Sequence, residues 1–416
     1  MHSLTQAVWN DQNLERLPAY LEAGASPVLV VGPGRTSRAN LAAALRHKTG
    51  RPLFVICADE TAAENFRRDL ELFLEEPCET LTARDMNFYG AEGVSRESEQ
   101  KRIRTLYALI RNKAPVTVCT VTGLLQRTVP PETLSGAARM IEDGMHIPPE
   151  EVEKALLRCG YQRSAQVEGP GQFSRRGGIL DFFSPAYDAP VRCEFWGDDV
   201  DSMGLFDTDS QRRTERLESC EILPSREILP SMCESEILLD KLHELIKTVE
   251  RRGGEKLAAT LREDAEKLAE TGNIAASDRY AALIYPHFVT ALDYIPPDAL
   301  VFLDKPGKVT ETAAAFLKQH AEDLSILLES GLIYGKTAQY FLPWEMAAES
   351  LKDFALVMSD NFTAGRYPLE PHSIINATIK QLPSYGGSAE TAIEDVRHYI
   401  GTKFSVVVLA ADKRRA

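Results

Sequence analysis

The sequence predicts an α/β architecture: a parallel-sheet domain interrupted by a mainly antiparallel α+β insertion and followed by a small α/β domain. Three observations carry this. Over residues 1–122, β-branched runs alternate with helical stretches, the rhythm of a parallel sheet with helices on its faces. After Glu150 the rhythm changes to brief extended runs separated by turn residues, as in an antiparallel meander. The run Ala299–Asp304 then returns to the first type, which makes the middle stretch an insertion.

Taken in order, Pro27–Gly32, Pro52–Ala58 and Pro115–Val121 are β-branched runs bounded by Pro or Gly, and read as buried strands. Between the last two, Ile103, Leu106, Tyr107 and Ile110 recur at helical spacing, with Lys101, Arg102, Arg104 and Arg111 on a face expected to be solvated. A short helix at Glu151–Cys159 leads into "GGILDFFS", "PVRCEFWG" and "VDSMGLFD", a predicted meander. Ser231 to about Gly272 turns helical, with Leu238, Leu239, Leu242 and Ile246 on one face. The last stretch predicts a strand at "FALVMS", a helix over Ser388–Ile400 and a strand at "FSVVVLA". The expected boundaries are 1–122 and 229–347 for the two parts of the parallel-sheet domain, 123–228 for the insertion and 348–416 for the small domain. Because the chain stops just after a predicted strand, it is expected to be a fragment of something longer.

Composition narrows the function. At 416 residues the chain suits roughly two to four domains. With 44% hydrophobic and 26% charged residues it is not a disordered or fibrous polymer. The net charge of −14 argues against wholesale binding to nucleic acid or anionic membrane. Neither a run of about 20 apolar residues nor a signal-peptide pattern is present, so a cytoplasmic protein without a membrane partner is expected. The seven cysteines are scattered without ligand-like spacing and read as reduced structural thiols, with no metal expected.

Two motifs bear on chemistry. In "VVGPGRTSRANLAAAL" a Gly-rich turn (Gly32, Gly34) lies between a strand and a helix, where a phosphate-binding loop would sit. Such a loop needs a Lys and then a hydroxyl for Mg²⁺. Counting from Gly32, these positions hold Arg38 and Ala39. On the later strand, Asp304 stands where a metal-linked carboxylate is needed, but Lys305 replaces the following acid and cannot accept a proton from water at neutral pH. Both losses point to a decayed nucleotide site, with no cofactor in this chain. The insertion is charge-segregated. Arg158, Arg163, Arg175 and Arg176 face Glu168 alone between positions 158 and 180, whereas Asp181–Asp209 is acidic with Arg192 its one base. With Phe173 nearby, the arginines are candidate interface anchors. No Ser/His/Asp order, metal cluster or dinucleotide fingerprint supports a hydrolase or an oxidoreductase.

At "GQFSRRGGILDFFSP", "VRCEFWGDDVDSMGLFDTDSQR" and "EILPSREI" the chain resembles the domain shared by UvrB and the transcription-repair coupling factors (Mfd). The "PPDALVFLDKP" strand and the closing "SYGGSAETAIEDVRHYIGTKFSVVVLAADKRRA" extend the likeness to the N-terminal half of the coupling factors. Asp85–Arg96 holds only Phe88 and Tyr89 as aromatics, unlike the tyrosine-rich DNA clamp of UvrB, and the decayed loop favours the coupling factors. The resemblance implies a RecA-like first domain with a degenerate nucleotide loop, and an insertion that recruits UvrA. Arg176 matches the family's Arg-Gly position, and Arg163 sits beside the Gly-Tyr-Arg position. Phe173 and Arg175 join the candidate UvrA patch through the local cluster. In the longer family members ATP and Mg²⁺ serve a motor, and RNA polymerase and DNA are engaged by further domains. The alternative is a UvrB-like, ATP-dependent DNA damage-processing enzyme. A DNA-binding scaffold using the basic helix Glu97–Asn112 is a third reading.

Overall fold

The computed structural model describes residues 2–90, 97–233, 235–379, 382, 385 and 387–408. Three apolar runs become strands buried along their whole length, β1 (Val28–Val31), β2 (Leu53–Cys57) and β4 (Val116–Thr120), and the short, half-buried β3 (Glu79–Leu81) adds an edge. The insertion supplies β5 (Arg139–Glu142), β6 (Gln162–Arg163), β7 (Gln172–Arg176), β8 (Ile179–Phe182), β9 (Val191–Trp196), β10 (Asp199–Phe206), β11 (Arg213–Leu217) and β12 (Ser219–Ile222). β13 (Leu300–Asp304), β14 (Ala355–Asp360) and β15 (Ser373–Asn376) complete the set.

The first sheet runs β15-β1-β14-β13-β2-β4-β3, with every pair parallel. Side chains alternate between its faces. Val28, Val30, Phe302 and Val357 pack with the helices Arg35–Thr49 and Glu60–Leu74; Leu29, Val31, Leu303 and Met358 join the core shared with Glu97–Ile110, Ser235–Arg251 and Glu255–Thr271. The second sheet, β11-β10-β9-β8-β7-β6, is antiparallel except for the short β6–β7 pair. Its inner face (Phe173, Leu180, Phe182, Cys193, Met203) packs against Val152 and Leu156 of the helix Pro149–Arg158 and against Ile141 and Ile222 of the β5–β12 pair. Meander and insertion are therefore as expected.

The boundary expected at residue 348 differs. The "FALVMS" run forms β14, which pairs with both β1 and β13 at the centre of the first sheet, and β15 adds its edge. The first compact unit runs Met1–Ala377 and the second Thr378–Ala416. A strand whose central residues are buried on both faces satisfies its backbone by inserting between two others, as β14 does here. In the second unit the expected helix is present as Ala389–Gly401, its N-terminus capped by the Ser388 side chain accepting from Thr391 N–H. Residues 404–408 of the expected last strand form no strand, and 409–410 lie outside the described residues, as do 91–96 of the clamp comparison.

The basic helix is also corrected. Arg102 is buried, pairs with the buried Glu227 carboxylate at 2.9 Å and donates to the carbonyls of Thr82 and Gly123. Arg104 donates to Pro185 O and Asp188, and Lys101 pairs with Glu97. Arg102 and Arg104 thus tie this helix to the insertion, because the exit segment of the insertion brings Glu227 under Arg102, while Lys101 and Arg111 stay exposed as expected.

Candidate functional site

The Gly-rich turn has the expected placement. β1 ends at Val31, Gly32 takes φ +111°, and Gly34 N-caps the helix Arg35–Thr49. A Cβ on Gly32 would lie 3.0 Å from Ala377 O, so the backbone conformation and the close approach of the residue just after β15 both favour glycine there. Arg38 does not point out toward a ligand. Its side chain is buried and donates to Asp304, to the Asn361 side chain and to Pro33 O (3.0 Å). Burial pushes the Asp304 carboxyl above the usual carboxylate range, while the Arg38 guanidinium pulls it back down. Ala39 is fully buried in the core, and Lys305 is exposed, in a left-handed conformation (φ 51°), with its N–H bonded to Ser359 O. The chain's own cation thus occupies the acid a metal would need, and no hydroxyl follows it. These residues do not fit Mg²⁺-nucleotide. Among the described residues, no cluster of three or more His, Cys, Asp or Glu could hold a metal.

The second sheet separates the four proposed docking residues. Phe173 is 0% exposed, part of the insertion's core, and cannot contact a partner. Strand alternation gives Arg175 the parity of Phe173, so it turns toward the helix Pro149–Arg158 and pairs with Glu150 and Glu153. Arg163 pairs with the same Glu153 and lies 5.6 Å over the Phe173 ring. Arg176 stands on the opposite, outward face, where its side chain is 53% exposed and contacts Asp181 at 3.1 Å. Asp181 is already held by Arg192 at 2.7 and 2.9 Å, so Arg176 is not essential to neutralise it. Arg163 and Arg175 are brought together; Arg176 is set apart.

A residue outside the predicted patch shares the Arg176 face. Arg176, Ile179 and Glu194 lie in register across β7, β8 and β9, and Trp196 follows two residues after Glu194 on that side. Trp196 is 81% exposed at the β9–β10 hairpin, and Ile179 is 37% exposed. Gly178 permits this packing, since a Cβ there would meet Phe195 O at 2.8 Å. An arginine beside exposed aromatic and aliphatic side chains has the composition of an interface centre. The available signal was parity: Trp196 alternates with Cys193, in the core, and Phe195, which packs against it, and must face outward.

Comparisons with known proteins bear on this domain. Residues 140–228 match the family described as the UvrB interaction domain. The chain is 27% identical over 401 residues to a transcription-repair-coupling factor of Bacillus subtilis, covering 95% of this chain and 34% of that protein. Similar factors from Staphylococcus aureus (24%) and Staphylococcus haemolyticus (23%) align over 420 residues, 98% of this chain and 35% of theirs. The chain spans about a third of the length of these relatives. Along nearly all of its own length, with a UvrB interaction domain match in the middle, it is similar to transcription-repair-coupling factors.

Proposed function

We propose that this chain is a non-catalytic recruiting module that docks UvrA on the outward face of the second sheet and so helps bring excision repair to stalled transcription. The observation that carries the proposal is the exposed Arg176–Ile179–Trp196 face within the UvrB interaction domain match. Nucleotide hydrolysis is excluded from the proposal because Arg38 engages Asp304 and Ala39 offers no hydroxyl. RNA polymerase and DNA belong to the proposal only as partners of longer relatives, and the location proposed is cytoplasmic. Among the described residues no helix is long and apolar enough to cross a membrane.

Calorimetric titration of UvrA into the chain tests the docking. Arg176→Ala and Trp196→Ala should each weaken binding roughly tenfold or more, as truncation at an interface centre does. Arg175→Ala, on the other face, should leave the affinity nearly unchanged. Equal affinity of the chain and both outward-face variants for UvrA would move the site elsewhere, and no binding by the chain would end the recruiting proposal. Mg²⁺-dependent ATP turnover by the purified chain would overturn the non-catalytic part.

A further inference from the structure

The parallel-sheet domain pairs its buried arginines with acids. Arg38 faces Asp304, Arg84 faces Asp278, Arg102 faces Glu227 and Arg279 faces Asp264. Arg127 is different. It is 4% exposed, yet its Nε and Nη1 have no acceptor, and it has no carboxylate partner among the described residues. Its one side-chain contact of this kind is the Phe288 ring, 4.6 Å beneath the guanidinium. Burial without a counter-charge lowers its pKa to about 10.

The backbone around Arg127 is fixed. Arg127 N–H donates to Tyr340 O at 2.8 Å, Thr128 N–H to Val289 O at 2.9 Å, and Gln126 bridges Phe341. Two more buried polar atoms nearby lack partners: the hydroxyl of Tyr340, the residue whose carbonyl accepts from Arg127 N–H, and His320 Nε2, whose ring meets Tyr340 edge to face at 6.1 Å. Asp278 is engaged by Arg84 and by the Asn87 N–H. Phe288, the ring beneath the guanidinium, is half-buried and its chain neighbour His287 is exposed, so Arg127 lies close below the surface.

We infer that Arg127, with the Tyr340 hydroxyl, forms a binding site for a single small oxyanion, a carboxylate or a phosphate. A buried guanidinium held over an aromatic ring with unused donors is costly alone and favourable once an oxyanion accepts from it. The Tyr340 hydroxyl supplies an additional neutral donor, and His320 supplies another in the tautomer protonated at Nε2.

Thermal unfolding and calorimetry of the whole chain test this, with sodium phosphate or sodium acetate replacing sodium chloride at constant ionic strength and pH 7. The wild-type midpoint should rise saturably with at least one anion. A response to phosphate alone identifies a phosphate site, and a response to acetate alone a carboxylate site. Arg127→Met should abolish the rise and, in chloride, be at least as stable as wild type because it removes an unpaired buried cation. Tyr340→Phe, which keeps the ring packing, should weaken the apparent affinity about three- to tenfold. If neither anion gives a saturable rise or binding heat with the wild-type chain, or if Arg127→Met responds as wild type does, the inference is overturned.

Discussion

Arg38→Met isolates the consequence of turning a cation from the Gly-rich loop's helix back onto the chain's own carboxylate. The substitution keeps much of the side-chain volume but leaves Asp304, 5% exposed, without the guanidinium that faces it. Removing one partner of a buried ion pair costs about 3–5 kcal/mol, whereas replacing both by apolar side chains is often neutral. If Met1–Ala377 unfolds as one cooperative unit, its unfolding entropy is roughly 0.8 kcal/mol/K at about 2.1 cal/mol/K per residue. The midpoint should then fall by about 4–6 °C, on the same scale. The assay is a four-member cycle of wild type, Arg38→Met, Asp304→Leu and the double variant, followed by thermal and urea unfolding. The double variant should recover most of the loss. The pH dependence has a definite sign. Burial already raises the Asp304 pKa and Arg38 opposes it, so removing Arg38 raises it further. A raised folded-state carboxyl pKa costs nothing below the unfolded value near 3.9; the cost grows as pH rises from there to the folded value and is constant above it. The Arg38→Met deficit should therefore shrink in acid. A single variant within about 0.5 kcal/mol of wild type, the range of ordinary surface changes, or a double variant no more stable than Arg38→Met, would refute the reasoning.

Two other predictions concern charge. Glu227→Gln removes the carboxylate charge shared by Arg102 and Arg84 and should cost about 3 kcal/mol or more; urea unfolding reads the loss, and faster amide exchange over 223–229 localises it, with unchanged protection in that segment counting against the assignment. Glu64 is pulled down to about 2, chiefly by its hydrogen bond from Arg67 and then, against the effect of burial, by one from Arg68. Its contribution should be present above about pH 4.3, the unfolded glutamate value, and be lost as pH falls toward 2. Because the side chain is 42% exposed, the effect should be no more than about 1 kcal/mol. Glu64→Gln should differ from wild type at pH 7 and converge with it in strong acid, and a difference that persists at the lowest pH would refute the assignment.

Much of the fold was legible because its signals are local. The β-branched runs that became β1, β2, β4 and β13 are bounded by Pro or Gly or end at a charged residue, and the return of the fourth after the meander identified the insertion. The place of β14 was not legible, since an apolar run states that a strand is buried but not between which neighbours. Charge counting failed at Arg102 and Arg175 because the sign of a side chain does not say whether an acid from a distant segment waits for it. Parity along β7 would have separated Arg175 from Arg176 and assigned Phe173 to the core. The strand–Gly-rich turn–helix placement of Arg38 was legible, whereas the turn of its side chain onto Asp304 and Asn361 depends on strands far apart in sequence.

The pairing of β5 with β12 has a mechanical consequence. Met140 lies opposite Glu221 and Ile141 opposite Cys220, so the chain enters and leaves the insertion through adjacent antiparallel strands, about 5 Å apart. A pull on the host on either side would load this pair as a zipper and bypass the six-stranded sheet until the pair opened. The insertion is wired in parallel with the host, not in series. Its outward face would keep its geometry while tension passed below it.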